Sequence, residues 1–308
     1  MENTRDLSGE YVNNSPVLLK AEKPLPFNEF LYHSRARDKH TEFLILKRIT
    51  ETAAHQEYLE SDICNSTQNR YKDILPYRDT RVPLSTSEYI NASYIIAGPA
   101  NQKRLIAAQG PLSNTVNLFW KMIWEQEVKL VVMCCGFVED DVPKCFEYFP
   151  VIGSRVFGEF EIQMENEKQK FSNVVKRTLL ICDREGTKKK VAHLEITGWM
   201  DNSAPEIRES FSSLNYVIFM IQHKLKKYTG RVLVHCSAGI GRTGVLLGLY
   251  EMVIKLENSN SSEEVACVSV FRTVRKLREQ RWGMVVTEDQ YKFMYSFMEY
   301  WITTFLLQ

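Results

Sequence analysis

The 308-residue sequence contains no uninterrupted apolar run long enough to cross a bilayer, and no signal peptide is visible. Its most apolar late stretch, Phe293 to Leu307, is broken by Ser296, Glu299 and the Thr303-Thr304 pair. There Phe293, Phe297, Trp301 and Phe305 recur at helical spacing, which predicts a terminal helix packed on the domain. Charge of one sign is also lacking: the net charge of +1 offers no basic excess for nucleic acid. Linkers rich in Pro, Gly or Ser, low-complexity tracts and internal repeats are absent, so one α/β domain is the simplest division. Residues 1–25 read as an extended N-terminal segment, disordered or autoregulatory, and 26–308 as the domain with a helical N-terminal extension. The six histidines are scattered without metal-site spacing, so neither a metal nor a cofactor is expected. Seven cysteines fit a reducing, cytoplasmic setting better than a disulfide framework. The sequon Asn65-Ser66-Thr67 is then accidental.

What is present is an apolar fraction of 44%, ample for a core. Helices are expected near Phe27 to Ser34, Glu42 to Tyr58, Val116 to Gln126, Ile207 to Leu225 and Val245 to Leu256. A further helix is expected after the capping signal Ser261-Ser262-Glu263-Glu264. Strands are expected at Tyr89 to Ile96, Arg104 to Ala108, Lys129 to Cys134, Phe157 to Glu165, Asn173 to Cys182 and Lys189 to Ile196. A hairpin turn at Asp183 to Thr187 joins the last two. The result is a mixed, twisted central sheet flanked by helices.

The densest chemistry lies in Val232-Leu233-Val234-His235-Cys236-Ser237-Ala238-Gly239-Ile240-Gly241-Arg242-Thr243-Gly244. An apolar run feeds a short glycine-bearing loop and then a helix-compatible segment. A helix start offers unpaired N–H groups and the positive end of its dipole, and a curled loop of N–H groups forms an anion nest. A cysteine at the base of such a nest is stabilised as a thiolate nucleophile. Gly239 and Gly241 let the backbone approach an oxyanion, and Arg242 supplies a fork suited to two phosphate oxygens. A lone cysteine is usually an inert core residue, but the strand–loop–helix order, the arginine and the glycines coincide here.

With its His-Cys-x5-Arg-Ser/Thr pattern, this segment resembles the signature of the cysteine-dependent protein tyrosine phosphatases, in a single-domain, non-receptor-like form. The resemblance runs from about Asn69 to Phe293. It implies a Cys-x5-Arg loop between a strand and a helix. It also implies that Ser237, Ala238, Gly239, Ile240, Gly241 and Arg242 bind the phosphate, and that His235 and Thr243 support the sulfur, Thr243 by a hydrogen bond. A general acid must then protonate the leaving oxygen. Asp201 in Trp199-Met200-Asp201-Asn202-Ser203-Ala204-Pro205 matches the family's mobile acid loop, with Met200, Ser203 and Ala204 departing from its pattern.

Asn69-Arg70-Tyr71-Lys72-Asp73 resembles the phosphotyrosine-recognition loop, with Gln68 in place of its lysine. The resemblance makes Tyr71 a wall of a deep slot, Asp73 a holder of the bound peptide backbone, and Lys72 a selector of acidic flanks. A slot of that depth is out of reach for phosphoserine. Tyr89 to Ile95, Ala107 to Leu112 and Phe119-Trp120 match scaffold text. Glu139 stands where the family braces the arginine, and Lys144 where it touches the acid loop.

One departure is chemical. Where the family carries a water-positioning glutamine, this chain has Val286, whose side chain neither donates nor accepts a hydrogen bond. Gln290 follows in the same motif as the group that remains. The resemblance therefore implies hydrolysis of phosphotyrosine in proteins through a cysteinyl-phosphate, by a monomer, with slowed breakdown of that intermediate. Two alternatives stay open: a phosphotyrosine-binding module without useful turnover, and a phosphatase of broader specificity that includes lipid phosphates.

Overall fold

In a computed structural model of the chain, residues 16–50, 67–98, 103–205, 207–259 and 267–307 are described. The elements begin with α1 (Pro16–Glu22), β1 (Leu25–Pro26), α2 (Phe27–Ser34) and α3 (Lys39–Thr50). β2 (Ala92–Ile95), β3 (Leu105–Ala108), α4 (Val116–Glu125), β4 (Val128–Met133), β5 (Val138–Glu139) and β6 (Val142–Pro143) follow. Next come β7 (Ser154–Phe157), β8 (Phe160–Phe171), β9 (Val174–Cys182), β10 (Lys188–Ile196), α5 (Ile207–Lys227) and β11 (Arg231–His235). The chain closes with α6 (Gly241–Ser259), β12 (Cys267–Val268), α7 (Val270–Arg278) and α8 (Glu288–Phe305).

Eight strands form one mixed, twisted sheet in the order β2-β3-β11-β4-β10-β9-β8-β7. The inner four, β3, β11, β4 and β10, run parallel, and the flanks are antiparallel. This division follows from composition. β3, β4 and β11 read as almost unbroken apolar runs and are buried along nearly their whole length, as strands covered on both faces must be. β8 instead buries only Phe160 and Ile162 on alternate positions before becoming a charged, exposed ribbon. α5 and α6 pack on β11, and α7 and α8 pack on α6, so β11 and the start of α6 meet at the centre of the molecule.

Several expected boundaries move for physical reasons. The strand expected from Phe157 to Glu165 is two strands, because Gly158 takes φ +63° in a tight turn at Phe157/Phe160. The expected Val245 start of the site helix falls at Gly241, which draws Arg242 and Thr243 into its first turn. The terminal helix begins at Glu288 with a Thr287/Gln290 capping box, and Phe305 is half-exposed, its ring against Tyr300 and Trp301 of the same helix. Ser261 to Glu264 and residues 51–58 lie outside the described residues; the helix expected after that signal is capped by Ser269. Of the segment expected to be extended, 1–15 lies outside the described residues, but 16–25 forms α1 and the start of β1. Leu18, Ala21 and Leu25 are buried there. The N-terminal helices are tied down by Glu42, which is buried between Arg37 at 2.9 Å and the hydroxyls of Tyr291 (2.9 Å) and Tyr295 (2.6 Å).

Candidate active site

β11 delivers Cys236 to the C-terminal edge of the parallel core, and the chain turns through Ser237 to Ile240 into α6. The turn needs glycine at 239: φ is +73°, and a Cβ there would stand 2.2 Å from the Ala108 carbonyl oxygen. The Gly239 N–H donates to Cys236 Sγ at 3.3 Å. Arg281, fully buried behind the turn, donates to the carbonyls of Gly239 (2.9 Å) and Ala238 (3.1 Å). It is held there by Ser93 Oγ and Asn91 Oδ1. With those two carbonyls tied to Arg281, the Gly239 amide faces the sulfur. Burial pulls the Arg281 guanidinium down to about 10, so it remains charged at neutral pH. Sequence reasoning missed Arg281; within Leu277-Arg278-Glu279-Gln280-Arg281 it reads as a solvated helix end.

Arg242 is 1% exposed, yet it remains charged. Burial opposes the charge, and the hydrogen-bonded Glu139 carboxylate outweighs it, raising its pKa above the ordinary arginine value. Glu139 grips the guanidinium with two oxygens, at 2.6 Å to Nη1 and 3.0 Å to Nη2. Nη1 also donates to the Trp199 carbonyl at 2.7 Å, and Nη2 to Asp201 Oδ1 at 3.1 Å. Arg242 Nε is buried without a hydrogen-bond partner.

The loop after β10 therefore lies on the cradle. Trp199 is buried and its indole N–H donates to the Ser203 carbonyl, while Ser203 Oγ donates to the Met200 carbonyl at 2.8 Å. Asp201 faces Arg242 on one side and Lys144 Nζ at 2.6 Å on the other. Burial alone would push the Asp201 carboxyl up, but the Lys144 hydrogen bond and the Arg242 charge hold it below the usual carboxylate range. Lys144 is raised in turn, chiefly by its hydrogen bond to Asp201.

His235 is fully buried and shifted down to about 4 by desolvation, so its ring is neutral. Its Nδ1 lies 3.3 Å from the Cys236 carbonyl, which only accepts, so the proton sits on Nδ1. Nε2 then accepts from Tyr148 Oη (2.9 Å), and Tyr148 Oη accepts from His193 Nε2 (2.7 Å). That chain leaves His193 Nδ1 as a bare acceptor, and it is indeed buried without a partner. Tyr148 and His193 carry no local motif that would have announced them. Thr243 departs from expectation: its Oγ1 is buried without a hydrogen-bond partner, so no bond to the sulfur is made.

Tyr71 is 37% exposed and its hydroxyl meets Ser237 Oγ at 3.1 Å, which stands the ring at the edge of the cradle. Its loop is anchored by Asn69, which accepts from Tyr89 and Asn91, and by Arg70, which donates to the carbonyls of Gly110 and Pro111. Lys72 and Asp73 are exposed beyond it and are not drawn into the cradle. Opposite lies the lip at Gly241, where an added Cβ would meet Gln290 Nε2 at 3.2 Å and Val286 Cγ2 at 3.5 Å. Gln290 Oε1 accepts from the Val286 (3.0 Å) and Thr287 (3.4 Å) N–H groups, and Nε2 reaches the Ser203 carbonyl at 3.5 Å. Val285 holds φ +63°, a costly conformation for a β-branched residue. It is pinned by Ile240 O and Arg278.

Among the described residues, no three His, Cys, Asp or Glu side chains gather to hold a metal ion. No helix there is long and apolar enough to cross a membrane.

Residues 65–300 match the family described as "Protein-tyrosine phosphatase". Receptor-type tyrosine-protein phosphatase C of Homo sapiens is 38% identical over 236 residues, covering 74% of this chain and 17% of that protein. Tyrosine-protein phosphatase non-receptor type 20 of Rattus norvegicus is 35% identical over 239 residues, covering 76% and 54%. The chain thus spans about half or less of the length of these curated relatives. A solved structure of PTPN18, described with distinct HER2 tyrosine phosphorylation sites, superposes with a TM-score of 0.81 at 28% identity. That match covers 90% of this chain and 99% of the other.

Proposed function

Because this chain belongs to the protein-tyrosine phosphatase family, we propose that it hydrolyses phosphotyrosine in proteins through a cysteinyl-phosphate intermediate. The observation that carries the reading is Arg242 Nε, buried and without a partner, on a guanidinium whose other nitrogens are gripped beside the Cys236 turn. An oxyanion seated on the turn's amides satisfies that donor.

In the first step the Cys236 thiolate attacks phosphorus, the P–O bond to the tyrosyl ring breaks, and Asp201 gives its proton to the departing oxygen. The depressed Asp201 carboxyl opposes that role at first sight. The remedy is the substrate itself. A phosphate dianion taking Nε and Nη2 of Arg242 displaces Asp201 from Nη2 and adds negative charge nearby, and both changes favour the protonated acid. Tyr71 stacks on the ring, Asp73 holds the peptide backbone, and Lys72 favours acidic flanks. His235 orients the Cys236 carbonyl, and Glu139 and Lys144 position Arg242 and Asp201.

In the second step water attacks phosphorus, the P–S bond breaks, and Asp201 takes the water's proton. Here Val286 presents a methyl group to the lip where a polar group would hold the water, and the oxygen of Gln290 is occupied by backbone amides. Breakdown of the phosphoenzyme is therefore slow and limits turnover. Free thiols at Cys134, Cys135, Cys145, Cys182, Cys236 and Cys267 suit a reducing cytoplasm, and the enzyme acts as a monomer whose domain extends from the N-terminal helices to α8.

The test is vanadate-sensitive hydrolysis of a phosphotyrosyl peptide. Cys236→Ser abolishes turnover while peptide binding persists. Unmeasurable turnover with tight peptide binding in the unaltered chain identifies a binding module instead. Equal rates on a phosphoserine peptide overturn the tyrosine slot.

A further inference from the structure

Helix α7 carries four basic side chains in nine residues, and two have visible duties. Arg275 pairs with Glu22 at 2.8 Å and with Glu279. Arg278 donates to the carbonyls of Met284 and Val285 and to Thr50 Oγ1. The other two, Arg272 and Lys276, stand one turn apart on one helix face, where like charges repel. Both are half-buried, and neither head group has a hydrogen-bond or ion-pair partner among the described residues.

These two cations line a cavity of about 170 Å³ between α7, α6 and Pro24. Lys255 of α6 lines it as well, paired at its other side with Glu251. Among the described residues, Glu251 is engaged with Lys255 and the Gly98 N–H, and Glu22 with Arg275. No cradle residue lines the cavity. A guanidinium fork and an ammonium facing one hollow are complementary to a tetrahedral oxyanion.

We propose that this cavity is a second oxyanion site, separate from the Cys236 cradle, which takes a phosphate group between Arg272 and Lys276. The group comes either from a phosphorylated side chain of a bound protein or from a free small phosphate.

The experiment follows the backbone and side-chain amide signals of the full chain by NMR at constant ionic strength. Inorganic phosphate is added first, then a singly phosphorylated serine peptide, with the Gly239 and Gly241 signals as the cradle's internal control. The site predicts saturable shifts at Arg272, Thr273 and Lys276. The Arg272→Ala/Lys276→Ala double variant weakens that response at least about tenfold and leaves the cradle response to phosphate intact. Its melting temperature is unchanged or higher, because a repulsive pair is removed. Stronger saturation by the peptide assigns the site to phosphoproteins; saturation by inorganic phosphate alone assigns it to free phosphate. Shifts confined to the cradle, or shifts at α7 that survive in the double variant, overturn the proposal.

Discussion

The two sides of the cradle are built from the same buried scaffold but furnished in opposite ways. On the Asp201 side the charged and titratable side chains stand in pairs: Glu139 on Arg242, Arg242 and Lys144 on Asp201, and Tyr148 on His235. On the Gly241 side the chain offers the methyl groups of Val286 and one glutamine whose oxygen caps α8. Within the proposed mechanism the first side serves attack and leaving-group departure, and the second serves the water. The difference teaches that one site can be well prepared for forming an intermediate and poorly prepared for destroying it.

Asp201→Asn should have the largest effect on this contrast. It should lower kcat on a phosphotyrosyl peptide by about 10²–10⁴. The loss should be much smaller on an aryl phosphate whose phenolate leaves without a proton. Equal losses on both substrates would remove the acid role and with it the furnished side.

The buried histidine gives a pH signature of about 3 kcal/mol. His235 titrates near 4 when folded, against 6.5 in the ordinary reference. The unfolded chain therefore binds the extra proton first. Stability is full above pH 6.5 and is lost as pH falls from 6.5 towards 4. Urea unfolding across that window, with His235→Gln as the comparison, should show a shallower loss in the variant. Identical slopes would contradict the neutral, oriented ring.

Val286→Gln should have the smallest effect and the opposite sign. A burst of phenol followed by slow turnover is expected in the parent chain. The substitution should raise the steady-state rate about tenfold as it restores a group that orients the water. Absence of the burst, together with no gain from glutamine, would erase the contrast between the two sides.

Much of the site was readable because it is contiguous. His235 to Thr243 carries strand, nest and helix start in one stretch, and the backbone geometry of such a stretch is largely local. Asp201 and Glu139 were readable only through family resemblance, since nothing local in Asp201-Asn202-Ser203 separates an acid from a turn residue. Arg281, Tyr148 and His193 escaped altogether. Their importance lies in which carbonyl or ring nitrogen they meet across more than forty residues of chain, and no periodicity reports that. The missed break at Gly158 had the same origin, since a tight turn at Gly158-Glu159, next to an alternating apolar and polar stretch, shows only once the strands pair.

By itself the sequence determined that a cysteine and an arginine would share a phosphate-sized turn at a helix start, because the seven consecutive residues from Cys236 to Arg242 carry the strand end, the turn and the helix start. Only the tertiary structure decided the electrical state of that turn. Glu139, Lys144, Arg281 and the His235–Tyr148–His193 chain converge from four separate segments, and charge interactions depend on distance through space rather than along the chain.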